Sequence, residues 1–313
     1  MDALNDLLDG PRARGAFLLR ATMSSPWSLL CADEAPLSVV AMLRERAWVA
    51  HEDEPPVRIG PGDIVLARGP DTYTVADDPA TPVQVIINPG QRCTAPDGRS
   101  LTEELSYGVR SWGNDPDGAT VMLIGTYQMR SAVGQRVLAA LPPLVVLPAG
   151  ALDSPLVELL GREIVKDDPG QDVVLDRLLD LLLIAVLRAW FSRPEAEAPG
   201  WYRANGDPVV GPALRLLHED LAHPWTVAAL AEKVGVARAT LAQRFGRLVG
   251  EPPMGYLTGL RLALAADLLR ESDATLEAVA RKVGYGTAFA LSTAFKREHG
   301  VSPQDYRLHR PAS

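Results

Sequence analysis

TVAALAEKVGVARATLAQRFGRLVGEPPMGY, residues 226–256, is written a second time as TLEAVARKVGYGTAFALSTAFKREHGVSPQDY, residues 275–306. Thr226, Ala229, Ala231, Lys233, Val234 and Gly235 recur as Thr275, Ala278, Ala280, Lys282, Val283 and Gly284, at a constant offset of 49. One residue enters the second copy around Gly286. After it Leu241, Phe245, Arg247, Gly250, Pro253 and Tyr256 recur as Leu291, Phe295, Arg297, Gly300, Pro303 and Tyr306, at an offset of 50. Matches this regular, with one slip, mark an internal duplication.

Each copy describes two short helices. Val227, Leu230, Ala231 and Val234 fall at i, i+3, i+4 and i+7, one face of an α-helix. Thr226 ahead of them is an N-cap, and Gly235 supplies the left-handed φ of a sharp turn. A second helix over 237–249 would bury Leu241, Phe245 and Leu248. Copy two repeats the plan, with Thr275 as cap, Leu276, Val279, Ala280 and Val283 inward, then Leu291 and Phe295. Two helices joined by a glycine turn are a helix-turn-helix, whose second helix enters the DNA major groove. The alternative for one copy alone is an αα-hairpin of a helical core; the duplication argues against that. Between the copies, 253–270 predicts one helix, with Leu257, Leu260, Leu264, Leu268 and Leu269 inward. Its length of roughly 26–28 Å suits two recognition helices in successive major grooves, about 34 Å apart.

The two helix-turn-helix units, the bridging YLTGLRLALAADLL and the closing GYGTAFALSTAFKREHGVSPQDYR resemble the AraC/XylS family of bacterial transcription regulators. The resemblance covers residues 207–310 and implies a DNA-binding domain that spans two adjacent grooves. It also implies promoter DNA and RNA polymerase as partners. With 241, 245 and 248 inward, the opposite face of the first recognition helix carries Arg238, Ala239, Ala242 and Gln243. The family's base-reading positions fall on the same residues. Arg suits guanine O6/N7 and Gln suits adenine N6/N7, while the alanines can touch thymine methyls or allow close approach. Arg244 and Arg247 on the flanks are expected at phosphates. In copy two the face is Ala288, Phe289, Ser292 and Thr293, where Phe289 could instead pack inward. Many relatives carry Arg where this chain has Thr293, so weaker base reading is expected there, with Lys296 and Arg297 at phosphates. Thr226, Thr275 and Thr287 join the phosphate set.

The chain of 313 residues has a formal net charge of −8, which superficially argues against nucleic acid. From Gly200 onward there are 14 Lys+Arg and 11 Asp+Glu, net +3, leaving 17 and 28 before it, net −11. The basic excess lies in the repeat, where phosphates require it. Cys31 and Cys93 form neither a disulfide framework nor a zinc spacing. No apolar run is long enough to cross a membrane, and MDALNDLLDGPRARG lacks the pattern of a signal peptide. A cytoplasmic address follows, with no membrane partner.

Residues 2–9 predict a short amphipathic helix. From Phe17 to Gln128 the period becomes two: WSLLCA, LSVVAML, RAWVAH, DIVLA, PVQVII and TVMLIGTYQ are separated by Pro, Gly and Asp turns. Such spacing predicts an antiparallel sandwich or jelly roll. PVRIGPGDIVLARGPDTYTV resembles the central turn of a cupin, and with MDALNDLL and W-S-L points to the cupin-type subgroup of the family. Cupin enzymes bind metal through several histidines. This sandwich holds only His51, with Tyr73 where a histidine often follows the turn. One imidazole cannot build such a site. His51 is therefore expected at a strand end on the surface, and no cofactor, metal or enzymatic activity is expected. Trp27, Trp48, Tyr73, Trp112 and Tyr127 are either plain core or the lining of a pocket for a small-molecule effector. Some cupin-type relatives sense oxidants through cysteine. Cys93, beside Arg92, is the more reactive candidate here, and Cys31 lies in an apolar strand.

From Pro142 a helical character is expected. Ser154 should cap a helix over 155–166, with Gly161 loosening it. A second helix over 172–191 is apolar around most of its girth and wants two neighbours, one of them the same helix of a second subunit. Residues 193–207 predict a linker open to proteolysis, and 208–221 a supporting helix, with His218 and His223 near its end as surface or C-cap groups rather than ligands. The expected fold is α+β with two domains. A cupin-like, antiparallel β-sandwich sensor (1–150) carries a helical dimerisation segment (151–195, homodimer contacts over 155–191). A linker (196–207) leads to an all-α double helix-turn-helix domain (208–313). The expected function is sequence-specific transcription regulation under a small effector. Thiol-based oxidant sensing, or a cupin enzyme fused to a DNA-binding domain, is the alternative.

Overall fold

The computed structural model describes residues 17–51, 54–127, 132–152, 154–194, 196 and 198–308, so the helix expected over 2–9 lies outside the described residues. The chain forms two compact units. One takes in residues 11–129 and 141–196, the other 130–140 and 197–313. The strands are β1 Phe17–Met23, β2 Ser28–Cys31, β3 Leu37–Arg44, β4 Ala47–His51, β5 Val57–Ile59, β6 Ile64–Arg68, β7 Tyr73–Ala76, β8 Val85–Asn88, β9 Arg92–Thr94, β10 Ser106–Gly108, β11 Ser111–Gly113, β12 Thr120–Tyr127 and β13 Leu144–Leu147. The helices are α1 Ala132–Leu138, α2 Leu156–Glu163, α3 Gln171–Phe191, α4 Gly200–Arg203, α5 Val210–Glu219, α6 Val227–Lys233, α7 Arg238–Val249, α8 Pro253–Glu271, α9 Leu276–Lys282, α10 Ala288–His299 and α11 Pro303–Leu308.

In the first unit a seven-stranded sheet, ordered β10-β11-β1-β12-β3-β6-β13, faces a six-stranded sheet, ordered β5-β4-β7-β2-β8-β9. The sandwich is mixed rather than purely antiparallel, because β1 runs parallel to β11 and β2 parallel to β8. Trp27, Met23, Leu29 and Met42 fill the space between the sheets. β12, TVMLIGTY, is buried at every position instead of alternating. A strand covered on both faces reads as a continuous apolar run, and the outer cover is α3. A Cβ at Gly125 would meet Leu179 Cδ2 at 3.3 Å and Val39 Cγ1 at 3.0 Å, and the Tyr127 hydroxyl donates to the Leu179 carbonyl at 2.9 Å. Gly161 brings α2 close to β3, since a Cβ there would meet Leu43 Cδ1 at 3.2 Å. That glycine serves close packing, not loosening. Ser154 does not cap α2; Pro155 holds the cap position without a side-chain bond. The helical character expected from Pro142 begins only after β13, which pairs with β6 at the sheet edge. Pro142 and Pro143 before LVVL and Pro148 after it bar a helix but suit a short edge strand.

The second unit is helical. Thr226 Oγ1 accepts from the Ala229 amide at 3.1 Å to cap α6, and Thr275 Oγ1 from Ala278 at 3.2 Å to cap α9. Gly235 and Gly284 take φ of +73° and +81° at the two turns, where a side chain would be strained. Phe245 and Phe295 are fully buried, each with a repeat tyrosine edge-on: Tyr256 at 5.9 Å and Tyr306 at 5.2 Å between centroids. His218 is buried with a ring nitrogen 2.8 Å from the Tyr256 hydroxyl. Of the two places expected for it, surface or helix end, it takes the helix end: it lies in the last turn of α5, buried rather than at the surface.

Two sequence-based boundaries move. The linker expected over 196–207 is folded from Gly200 onward, with Trp201 and Ala204 buried. Glycine at 200 is required there, since a Cβ would meet the Val249 carbonyl oxygen at 2.5 Å. The segment 130–140, expected in the sensor domain, belongs to the helical unit. The Ala132 amide donates to Asp267 at 2.6 Å, and Arg136 pairs with Glu251 at 3.3 Å while lying 5.2 Å over the Tyr256 ring.

Leu179→Ala should destabilise the full chain by about 2–5 kcal/mol through the cavity it leaves, and Tyr127→Phe by about 1 kcal/mol through one buried hydrogen bond. Urea denaturation followed by circular dichroism measures both. Equal effects from the two variants would refute this account of how α3 covers β12.

Candidate nucleic-acid interface

Burial of Leu241 and Phe245 sets the rotation of α7. With those side chains inward, Arg238, Ala239, Ala242, Gln243 and Arg247 are all exposed. Of these, Arg238, Gln243 and Arg247 are polar and Ala239 and Ala242 small, so a groove can approach the helix closely at the alanines. Arg244 is different. Its Nε and Nη2 both donate to Asp207 Oδ2, at 3.0 and 2.8 Å, while Asp207 Oδ1 accepts from the Val209 and Val210 amides ahead of α5. Burial alone would raise the Asp207 carboxyl, but Arg244 and the two amides outweigh it and hold it below the ordinary value. Arg244 therefore ties α7 to the start of α5, and the expected phosphate role is corrected to a structural one.

On α10, Leu291, Ala294 and Phe295 point inward. Ala288 and Ser292 are half-buried, and Thr293 is exposed with its hydroxyl donating back to the Phe289 carbonyl at 3.0 Å. Phe289 does not pack inward: it is 82% exposed in the first turn. Thr287 caps this helix, its Oγ1 accepting from Ala290 at 3.1 Å, whereas Ala237 at the matching place in the first copy cannot. The oxygens of Thr226, Thr275 and Thr287 thus serve the helices as caps. Lys296 and Arg297 are exposed. Arg261, which sequence reasoning passed over, bonds the Leu221 carbonyl at 2.7 Å and the His223 carbonyl at 2.6 Å, holding the turn between α5 and α6.

In the sandwich, the five aromatics part company. Trp112 lines a cavity of about 200 Å³, together with Leu19, Ile87, Cys93 and Ile124. Trp27 and Tyr73 are core, Trp48 is half-buried on β4, and Tyr127 faces α3. Of the five, Trp112 is the one that lines this cavity. Cys31 pairs in register with Ile87, and Ile87 with Cys93, so one strand separates the two thiols. Two strand spacings are roughly 9.6 Å, beyond the ~7 Å between Cα atoms that a disulfide spans. Burial pushes the Cys31 thiol up to about 12 and raises Cys93 as well. Arg92 does not activate Cys93, since its Nε bonds the Pro89 carbonyl at 3.3 Å and Cys93 points inward. His51 closes β4 half-buried, 3.7 Å from Asp71. Among the described residues no group of three or more His, Cys, Asp and Glu could hold a metal ion, and no helix is long and apolar enough to cross a membrane.

Comparison with known proteins is consistent with both halves. Residues 2–192 match the family described as Cupin and residues 230–309 that described as Helix-turn-helix domain. The chain is 34% identical over 315 residues to a "Putative AraC-like transcription regulator" of Streptomyces antibioticus, covering 99% of each, and 34% identical over 319 residues to one of Streptomyces lividans, again covering 99% of each. It is 27% identical over 314 residues to the HTH-type transcriptional regulator AlkR of Acinetobacter baylyi, covering 98% of this chain and 99% of that one. Among solved structures, the DNA-binding domain of AdpA in complex with a target DNA is 32% identical, with a TM-score of 0.31, covering 33% of this chain and 92% of that one. A cupin domain followed by paired helix-turn-helix units, matched over nearly its whole length by such relatives, makes this chain a member of the AraC-like family of transcription regulators.

Proposed function

We propose that the chain reads promoter DNA in the cytoplasm chiefly through α7, that its sandwich takes a small effector, and that it acts as a homodimer through α2 and α3. The observation that carries the DNA reading is the exposed quartet Arg238, Ala239, Ala242 and Gln243, directly opposite buried Leu241 and Phe245. Arg238 reads guanine and Gln243 adenine. Arg247, Lys296, Arg297 and the hydroxyls of Thr226, Thr275 and Thr287 hold phosphates. The second face, Ala288, Ser292 and Thr293, has little with which to discriminate bases by hydrogen bonds. Phe289 joins it as an apolar contact to thymine methyls. RNA polymerase is the further partner at the promoter.

The dimer reading is supported by α3 itself. Leu175, Leu179, Leu182, Val186 and Leu187 are buried, yet Val173, Val174 and Leu181 are exposed. Val174, Leu178 and Leu181 form a stripe at i, i+4 and i+7, suited to the same helix of a second copy. An effector then acts by linkage, changing the fraction of dimers that can engage both half-sites. Oxidant sensing is the second reading, supported by the Cys93 side chain lining the cavity. It requires an adduct on a thiol that burial makes less reactive.

Arg238→Ala and Gln243→Ala should each weaken cognate binding by about 1–3 kcal/mol with random DNA unaffected, whereas Arg247→Ala should weaken both and flatten the salt dependence. Equal losses on cognate and random duplexes in a fluorescence-anisotropy titration would refute base reading. Val174→Glu combined with Leu181→Arg should halve the mass seen by sedimentation equilibrium; a wild-type chain already monomeric at micromolar concentration refutes the dimer. Mass spectrometry after mild hypochlorite tests the thiol reading, which fails if DNA binding changes while both cysteines stay unmodified.

A further inference from the structure

The cavity beside Trp112 has an apolar interior and one cation at its rim. Leu19, Ile87, Cys93 and Ile124 form its walls, and it reaches the surface at Val109, which is 87% exposed. Its volume of about 200 Å³ exceeds the ~150 Å³ apolar cavity that admits benzene. A ligand of eight to ten heavy atoms, on the order of benzene plus a polar group, is the size that fits.

Arg110 stands at the rim between β10 and β11, its carbonyl fixed by the Arg20 amide of β1 at 2.8 Å. Its Nη1 donates to Gln171 Oε1 at 2.9 Å, and its Nη2 pairs with the Asp172 carboxylate. The two acceptors differ in kind. Gln171 is buried, and its amide also donates to the Glu163 carbonyl at 2.7 Å and the Lys166 carbonyl at 2.6 Å, clasping the end of α2 to the start of α3. Asp172 is 83% exposed. An ion pair with so exposed a partner contributes little net stability, because water screens it and rehydrates the carboxylate when the pair opens. Asp172 can return to water, and a second carboxylate in its place would keep the largely buried Arg110 guanidinium paired, whereas Gln171 cannot leave without orphaning its clasp.

We propose that this cavity is the effector site and takes a small apolar acid, whose carboxylate replaces that of Asp172 on Arg110. The proposal rests on the effector reading above and adds the ligand's chemical class. The apolar body is buried against Trp112 and Ile124, and the planar fork of Arg110 matches a carboxylate edge. The exchange releases Asp172 at the first turn of α3, directly before exposed Val173 and Val174. The cavity is thereby linked to the helix proposed to pair two copies.

Isothermal titration of the full chain with cyclohexanecarboxylate and with hexanoate, each beside its neutral amide, tests the proposal. At least one acid should bind with saturation, and its amide at least tenfold more weakly. Arg110→Gln should bring the acid down to the level of the amide. Asp172→Asn removes the competing carboxylate and should tighten the acid several-fold while leaving the amide unchanged, a gain that misfolding cannot imitate. Acid and amide binding equally, or Asp172→Asn failing to tighten the acid, overturns the carboxylate exchange while leaving an effector site in the cavity. Neither acid binding to the wild type or to Asp172→Asn overturns the assignment of the cavity. Failure of the DNA reading would show separately, in the titrations of Arg238→Ala and Gln243→Ala.

Discussion

Everything the helical unit can do depends on which side of each recognition helix is turned inward. Phe245 and Phe295 lie at the centre of this constraint, each beside a leucine four residues earlier and under the edge of a repeat tyrosine. Burying one such ring contributes about 1.5–3 kcal/mol, enough to lock the rotation of a helix of three turns. Once it is locked, Arg238, Ala239, Ala242 and Gln243 on the first helix and Phe289 and Thr293 on the second are left exposed, with Ala288 and Ser292 half-buried. The set proposed to face DNA is drawn from what that rotation leaves in solvent.

The duplication separates scaffold from function more cleanly than one copy could. Capping threonines, turn glycines, core phenylalanines and edge-on tyrosines recur in both copies. The outward positions do not: Arg238 answers to Ala288, Ala239 to Phe289 and Gln243 to Thr293. Positions bound by the same packing kept the same residues, and outward positions free of that packing diverged. Arg244 follows the same logic. Its counterpart is buried Ala294, because Asp207, the partner that Arg244 holds, precedes the first copy and has no equivalent before the second.

The sandwich unit is governed by a different constraint, a sheet covered on both faces. β12 and β3 bury nearly every side chain because one face meets the other sheet and the opposite face meets α2 and α3. Glycine at 125 and at 161 lets those layers close. The consequence for α3 is that its inner face is committed to the sandwich while Val173, Val174 and Leu181 remain outside. The guanidinium of Arg110, reaching from the strands to Gln171 and Asp172, joins a cavity between the sheets to the start of that helix.

Local periodicity determined much of this from the chain alone. The paired helix-turn-helix units, the long α8, the extent of α3 and the strands of the sandwich core are set by spacing of apolar residues and by caps and turns within a few positions, which sequence displays directly. The outward quartet of α7 was legible for the same reason. What periodicity does not carry is the partner across space. Arg244 reads as a free cation until Asp207 is brought beside it, and His218 reads as a surface group until the Tyr256 hydroxyl meets it. LVVL at 144–147 looks like part of a helical stretch until β6 offers an edge, and Gly200 looks like linker until it lies against the Val249 carbonyl. The cavity and its Arg110 rim were invisible in sequence, because Leu19, Ile87, Cys93, Trp112 and Ile124 come from five strands that only the sheet order assembles. Sequence determined the elements and the faces they bury; tertiary structure decided which charges are neutralised and where a cavity opens, since both depend on distances between residues far apart in the chain.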